Sequence, residues 1–123
     1  MKESQNILFV DSDEDMRHVF GARLRQHGHT VTFASNAEEA VGLMRQHKNA
    51  YDLIITDLHL AGEKSGMDVI QEGDILQAKG RFWLISASLD HNEAQMAYRA
   101  QAKIAVNKVD LDSMLQKEGF LPY

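Results

Sequence analysis

Four short apolar runs, each followed at once by a polar or charged residue, constrain most strongly how this chain can fold. The runs are Ile7–Val10, Leu53–Thr56, Phe82–Ile85 and Ile104–Asn107, and they lead into Asp11, Asp57, Ser86 and Lys108 in that order. Runs of this length, rich in branched and aromatic residues, favour β-strands. In an open parallel sheet, the groups just beyond the C-terminal ends of neighbouring strands converge on one crevice. The pattern therefore predicts two carboxylates, a hydroxyl and an ammonium at a single sheet edge.

The segments between the runs have the spacing of helices. The predicted strands are Asn6–Val10, Thr30–Ala34, Leu53–Thr56, Arg81–Ile85 and Ile104–Asn107, and the predicted helices lie near Glu14–His27, Ala37–His47, Met67–Ala78, Glu93–Ala102 and Leu111–Glu118. Strands that alternate with helices imply right-handed crossovers and a parallel sheet. The expected fold class is α/β: a doubly wound, flavodoxin-like sheet of five parallel strands in the order 2-1-3-4-5. Its switch point lies between the first and third strands, which puts Asp11 beside Asp57.

Composition narrows the class of protein. The 123 residues suit one domain, residues 1–123, and the net charge of −5 argues against direct nucleic-acid binding. No apolar stretch approaches the roughly 20 residues of a membrane span, and the chain contains no cysteine. We therefore expect a cytoplasmic protein that makes no membrane contact.

Four segments resemble the receiver domain of two-component response regulators, and the resemblance covers nearly the whole chain. The acidic first loop is matched by residues 7–17 and the phosphoacceptor strand by residues 51–60, while Ser86-Ala87 is similar to the switch pair and Lys108 to the invariant lysine. The resemblance implies that Asp57 is phosphorylated by a histidine kinase or a phosphotransfer protein, with Mg²⁺ as cofactor. It also implies a downstream protein target or a missing output domain. The sequence does not name the kinase or the target, and a stand-alone protein and an excised domain both remain open.

Elementary chemistry gives each of these residues a role. Asp57 and Asp11 offer hard oxygens to Mg²⁺, with the backbone carbonyl of His59 as a further candidate ligand. Lys108 would neutralise the carboxylates and then a phosphoryl oxygen, and Ser86 would hydrogen-bond another. The only enzymatic activity expected is self-phosphorylation and self-dephosphorylation.

The chain departs from the family pattern at several positions. The second acid after the first strand is Ser12, so either Ser12 or the following Asp13 is the third candidate ligand, and Mg²⁺ binding should be weak. Ser12→Asp is expected to tighten it. Ala105 replaces the family's aromatic switch residue, so we expect phosphorylation to shift mainly residues 87–92, unless Tyr98 takes over the switch. Ala61 and Val109 stand where the family has prolines.

Two alternatives remain. The chain could be a degenerate receiver-like docking module that is never phosphorylated, as Ser12, Ala105 and Val109 suggest. It could also be a haloacid-dehalogenase-like phosphatase with Asp11 as nucleophile and Asp13 as general acid, although Asp57 would then have no role.

A histidine pair, one valine and five methionines are assigned structural rather than functional roles. His27-Gly28-His29 is expected to be a surface turn. Val19 is assigned to the buried face of the first helix. Five methionines at helical positions are expected to fill the core: Met16, Met44, Met67, Met96 and Met114.

Overall fold

The structure is a computed structural model that describes residues 2–47 and 50–123. The strands are β1 (Asn6–Val10), β2 (Thr30–Ala34), β3 (Leu53–Asp57), β4 (Arg81–Ser86) and β5 (Ala102–Asn107). The helices are α1 (Glu14–Gln26), α2 (Ala37–Gln46), α3 (Gly66–Ile75), α4 (His91–Arg99) and α5 (Leu111–Lys117), the last preceded by a 3₁₀ turn at Lys108–Asp110. Within the described ranges, no helix combines the length and apolarity needed to cross a bilayer.

The five strands form one parallel sheet in the order β2-β1-β3-β4-β5, which confirms the predicted fold class. In the register of the sheet, Val10 pairs with Thr56 and Asp57 pairs with Ile85. Asp11 and Asp57 therefore follow adjacent positions on neighbouring strands. Strand β2 is an edge of the sheet, as the predicted strand order requires.

Two hydrophobic clusters pack on opposite faces of the sheet, since successive strand residues point to opposite sides. Leu8, Val10, Ile54 and Leu84 belong to one cluster, together with side chains of α2 and α3. The other contains Ile7, Phe9, Leu53, Ile55, Trp83 and Ile85, with side chains of α1 and α5. Burial on both faces explains why the central strands read as unbroken apolar runs.

Two helices end earlier than their sequences predict. Helix α3 stops at Ile75 rather than Ala78, and α4 covers His91–Arg99 rather than Glu93–Ala102. Gln77 and Gln101 then adopt left-handed φ values of 56° and 88°. Many helices end at a residue in the left-handed conformation, and that residue is usually glycine. Glutamine rarely adopts this conformation, so the sequence did not indicate that the two helices end here. Ala102 consequently begins β5.

Two helix residues that were expected in the core are exposed. Val19 and Met96 are 54% and 55% exposed. On α1 the inward stripe runs through Phe20, Gly21 and Leu24 instead, because the Phe33 ring lies directly over Gly21. On α4 the buried residue is Ala97, one position beyond Met96.

The turn at Gly28 forms as predicted, with φ of 92°, but His29 is buried rather than on the surface. Its Nδ1 accepts a hydrogen bond from the Gln5 N–H at 3.0 Å, and its Nε2 lies 2.8 Å from the Phe120 carbonyl oxygen. Since that carbonyl can only accept, Nε2 carries the ring proton. His29 thus joins the N-terminal segment to the C-terminal one.

Candidate functional site

Lys108 connects the two buried carboxylates that the sequence places at the sheet edge. Its Nζ lies 3.0 Å from Asp11 Oδ2 and donates a hydrogen bond to Asp57 Oδ2 at 3.1 Å. The three residues come from the C-terminal ends of β1, β3 and β5 and are separated by up to 97 residues in sequence. The parallel sheet therefore brings together the carboxylates and ammonium that the sequence predicted.

Burial determines the electrostatics of this crevice. Loss of solvation and, secondarily, the charge of Asp11 raise the pKa of Asp57, while Lys108 and the His59 backbone N–H oppose that rise. Burial lowers the pKa of Lys108, but hydrogen bonds and charge from Asp11 and Asp57 outweigh it and leave that pKa raised. When Asp11, Asp57 and Lys108 are all ionised, their net charge is −1. The crevice therefore attracts a further cation electrostatically.

The carboxylate of Asp11 fits a cation. Oδ1 accepts a hydrogen bond from the Asp13 N–H at 2.9 Å. Oδ2 is fully buried and lies 3.0 Å from Lys108 Nζ, in an ion pair whose geometry is poor for a hydrogen bond. Because this buried oxygen belongs to a site with a net negative charge, it could also bind an oxygen-seeking cation such as Mg²⁺.

Ser12 and Asp13 both have other partners. The Ser12 hydroxyl donates to the Ser35 carbonyl at 2.9 Å and accepts from the Ala61 N–H at 2.8 Å. The Asp13 carboxylate accepts from the Asp15 N–H at 2.9 Å and caps α1. Across residues 2–47 and 50–123, no three acidic or histidine side chains are grouped so that they could hold a metal. The side chains at the crevice thus supply two carboxylates rather than three.

Ser86 ends β4 one residue beyond Ile85, the register partner of Asp57, and its side chain is buried. Its hydroxyl accepts a hydrogen bond from the Ser88 N–H at 3.3 Å. The same loop is held at Leu89, whose N–H donates to Asn107 Oδ1 at 2.7 Å. The loop after β4 is therefore tied to the end of β5, next to Lys108.

His59 lies two residues beyond Asp57 and has an exposed side chain. Its Nε2 is 3.7 Å from Glu93 Oε2, on the first turn of α4. Its backbone N–H stabilises the ionised form of Asp57 by hydrogen bonding, which places this peptide unit at the crevice. The candidate ligand at this position is the carbonyl rather than the imidazole.

Sequence reasoning missed three residues that support the site. Arg17 Nη1 donates to the Asp11 carbonyl at 2.6 Å, Asn107 holds the loop after β4, and Gly66 lets α3 begin against the Asp57 backbone. Arg17 and Asn107 gave no usable signal, because polar residues are common in the first turns of helices and at the ends of strands. Gly66 directly follows the Ser65 helix cap, and a glycine there indicates a close approach of the backbone.

A cavity of about 180 Å³ lies at the opposite edge of the sheet. Lys79, Arg81 and Lys103 line it together with Asp74 and the left-handed Gln77 and Gln101. Its walls follow the C-terminal ends of α3 and α4, where cations offset the helix dipoles. Its basic character therefore has a structural explanation.

A family model for the response regulator receiver domain matches residues 7–117. Two-component response regulator PhoP of Pseudomonas aeruginosa is 37% identical over 75 residues, and two-component response regulator ARR14 of Arabidopsis thaliana is 30% identical over 71 residues. These alignments cover 61% and 58% of this chain but only 31% and 18% of the relatives. The chain thus spans a minor part of the length of these curated relatives.

Solved structures agree with the fold. A response regulator from Burkholderia pseudomallei, solved with a phosphorylated aspartic acid, calcium ion and citrate, is 27% identical, with a TM-score of 0.79. That alignment covers 92% of this chain and 65% of the other. A two-component response regulator from Clostridium difficile has a TM-score of 0.84 at 20% identity, over 94% of this chain and 93% of the other, which supports the fold alone.

Proposed function

Because the chain belongs to the response regulator receiver domain family, we propose that Asp57 accepts a phosphoryl group from a histidine kinase or a phosphotransfer protein. Phosphorylation would then alter a surface that binds a downstream protein or an output domain. The observation that carries this proposal is the contact of Lys108 Nζ with both buried carboxylates at the C-terminal edge of the sheet. The phosphorylated aspartic acid named for the Burkholderia pseudomallei relative supports it.

The chain's own residues account for the transfer. An oxygen of Asp57 forms the bond to phosphorus while the bond from phosphorus to the donor histidine nitrogen breaks, and the imidazole leaves. Lys108 Nζ is hydrogen-bonded to Asp57 Oδ2, so its positive charge would offset the negative charge of the incoming phosphoryl oxygens. The Ser86 hydroxyl would lose its hydrogen bond from the Ser88 N–H and would donate a hydrogen bond to a phosphoryl oxygen. The proposed reaction concerns only the chain's own aspartate.

Asp11 and Asp57, with the His59 carbonyl, would hold Mg²⁺. When bound, the metal supplies positive charge beside the phosphoryl oxygens. The buried Asp11 Oδ2 and the net negative trio favour such an ion. The role of Ser12 or Asp13 as a further ligand, and the expected gain from Ser12→Asp, stay predictions. That substitution would also remove a hydroxyl that binds two loops.

The experiment is incubation with acetyl phosphate and Mg²⁺, followed by intact mass. A single phosphoryl adduct should form, and Asp57→Asn should abolish it. Lys108→Ala should slow its formation, while Glu63→Gln, an exposed residue of the loop after β3, should have no effect. Absence of an adduct, or an adduct that survives Asp57→Asn, would overturn the proposal.

The docking-module alternative rests on the use of Ser12 as a loop contact and on the site's two carboxylates. It predicts no adduct in the same experiment. The phosphatase interpretation has lost its support, because the family match runs through the whole site and the Asp13 carboxylate caps α1.

A further inference from the structure

The Ser12 hydroxyl lies between two loops that flank the crevice. It donates to the Ser35 carbonyl after β2 and accepts from the Ala61 N–H after β3. Both bonds are short, at 2.9 and 2.8 Å, and Ser12 itself follows Asp11 directly. One side chain thus joins the loops at the ends of β1, β2 and β3.

The loop after β3 has few other backbone contacts. Leu58 N–H bonds the Ile85 carbonyl and Gly66 N–H bonds the Leu58 carbonyl, at the two ends of the loop. Between them, the described backbone contacts are an isolated parallel bridge from Ala61 to Asn36 and the Ser12 hydrogen bond, while the side chains of His59 and Leu60 contact Glu93 and the core. Ala61 is therefore a point at which the backbone of this loop is attached to the neighbouring loops.

A hydroxyl suits this position better than a carboxylate. The Ala61 N–H needs an acceptor and the Ser35 carbonyl needs a donor, and one serine oxygen provides both. An aspartate could accept from Ala61, but its charge would repel the Ser35 carbonyl oxygen. The neutral residue that weakens the metal site is thus the one that fits between the loops.

We propose that Ser12 is a positioning residue: through Ala61 it fixes the loop that carries His59 next to Asp57. The His59 carbonyl is a candidate metal ligand two residues beyond Asp57, so a displaced loop would move that ligand away from the carboxylates. The inference rests on the proposed function only for the identity of the metal and the phosphoryl group. The loop attachment itself is independent of that function.

The test compares Ser12→Ala, Ser12→Thr and Ser35→Ala. Ser35→Ala is the matched control, because it removes a neighbouring hydroxyl but keeps the carbonyl that Ser12 uses. The readouts are hydrogen exchange at the Ala61 amide, Mg²⁺ affinity without a phosphoryl donor, and the rate of phosphorylation by acetyl phosphate. All are measured well below the unfolding transition, so that a change in global stability does not affect them.

Ser12→Ala should speed exchange at Ala61 and weaken Mg²⁺ binding, each by about three- to tenfold, as expected for the loss of one modest hydrogen bond. In Ser12→Thr and in Ser35→Ala, the exchange rate at Ala61 and the Mg²⁺ affinity should both equal those of the wild type. Unchanged exchange at Ala61 in Ser12→Ala would overturn the proposal, as would weaker Mg²⁺ binding without faster exchange, which would make Ser12 a direct ligand. If exchange and Mg²⁺ affinity change but no variant is ever phosphorylated, the positioning role holds and the proposed function fails.

Discussion

Burial and three nearby groups affect the charge of Asp57 in opposite directions. Burial and Asp11 disfavour its carboxylate form, whereas Lys108 and the His59 N–H favour it, and the net effect is a raised pKa. The folded protein therefore binds a proton at Asp57 more tightly than the unfolded chain does. The ionised form of Asp57 is therefore less favourable in the folded protein than in the unfolded chain.

This imbalance predicts a pH-dependent effect of Asp57→Asn. Because the pKa of Asp57 is raised on folding, wild-type stability should fall as pH rises from the ordinary carboxylate range through that raised value, and then level off. The asparagine variant lacks this loss, so its advantage in unfolding free energy should grow over the same window. Urea unfolding at a series of pH values with EDTA measures it.

Glu63→Gln serves as the control, since it removes an exposed carboxylate and should follow the wild type at every pH. A constant difference between Asp57→Asn and wild type across the series would show that folding does not raise the pKa of Asp57.

The junction between β3 and α3 depends on Gly66, the first residue of the helix. A Cβ built there would lie 2.2 Å from the Asp57 carbonyl oxygen and 3.1 Å from Leu58 Cα. Both contacts are with backbone, which cannot rotate away as a side chain can. The helix can therefore begin this close to the end of β3 only with glycine.

Gly66→Ala should destabilise the protein by about 2 kcal/mol or more, because it overpacks a buried site against backbone. It should also reduce phosphorylation of Asp57 by displacing the end of β3. Gly42→Ala is the matched control: a Cβ there meets nothing within 4 Å, and alanine in a helix gains up to about 1 kcal/mol. Denaturant unfolding of the two variants should give opposite signs, and equal stabilities would contradict the predicted clash.

Elements α4 and β5 are connected despite the loss of the aromatic switch residue. The Ala105 N–H donates to the Tyr98 hydroxyl at 3.3 Å, and the Leu89 N–H donates to Asn107. Through the first contact, Tyr98 is hydrogen-bonded directly to β5. Tyr98 is the residue that could replace the missing aromatic switch residue. Nothing at Ala105 itself offers two positions for a side chain.

We expect a beryllofluoride mimic of the phosphoryl group, with Mg²⁺, to shift amide NMR signals mainly in residues 87–92. Signals of Ala105 and residues 111–118 should move little, since alanine at position 105 has no rotamer to change. Large shifts there that disappear in Tyr98→Phe would show that Tyr98 transmits the change, contrary to this expectation. Asp57→Asn with the same additives provides the unshifted reference.

At the scale of the whole molecule, the two ends of the chain pack together beneath the sheet edge opposite the crevice. Buried His29 binds Gln5 and Phe120 through its two ring nitrogens, and Phe120 packs edge-on against Trp83, with ring centroids 5.5 Å apart. The Lys2 N–H also donates to the Gly119 carbonyl at 2.7 Å. One histidine therefore links both terminal segments to the core.

His29→Ala should cost about 2–4 kcal/mol of unfolding free energy, because it leaves a cavity and deprives one backbone donor and one backbone acceptor of their partners. His18→Ala, on the exposed face of α1, should change stability by less than about 0.5 kcal/mol. Thermal and urea unfolding of both variants test this. A loss at His29 as small as that at His18 would mean that the terminal segments contribute little to the fold.

Much of the fold could be predicted because its signals are local. Apolar runs that lead into polar residues located β1, β3 and β4, and the helical spacing between the runs located most helices within a few residues. The ends of α3 and α4 could not be predicted, because Gln77 and Gln101 adopt left-handed conformations that only their surroundings stabilise. The burial of His29 and the exposure of Val19 likewise depend on which residue faces each side chain across the core.

The sequence by itself determined the order of the strands and which residues follow them, and so identified Asp11, Asp57, Ser86 and Lys108 as neighbours. It could do so because a parallel sheet brings the C-terminal ends of its strands to one edge whatever the loops contain. Only the tertiary structure decided that Lys108 contacts both carboxylates, that Asp11 Oδ2 is fully buried, and that Ser12 binds two loops. Those contacts depend on directions and distances between side chains far apart in the chain, which no local pattern encodes.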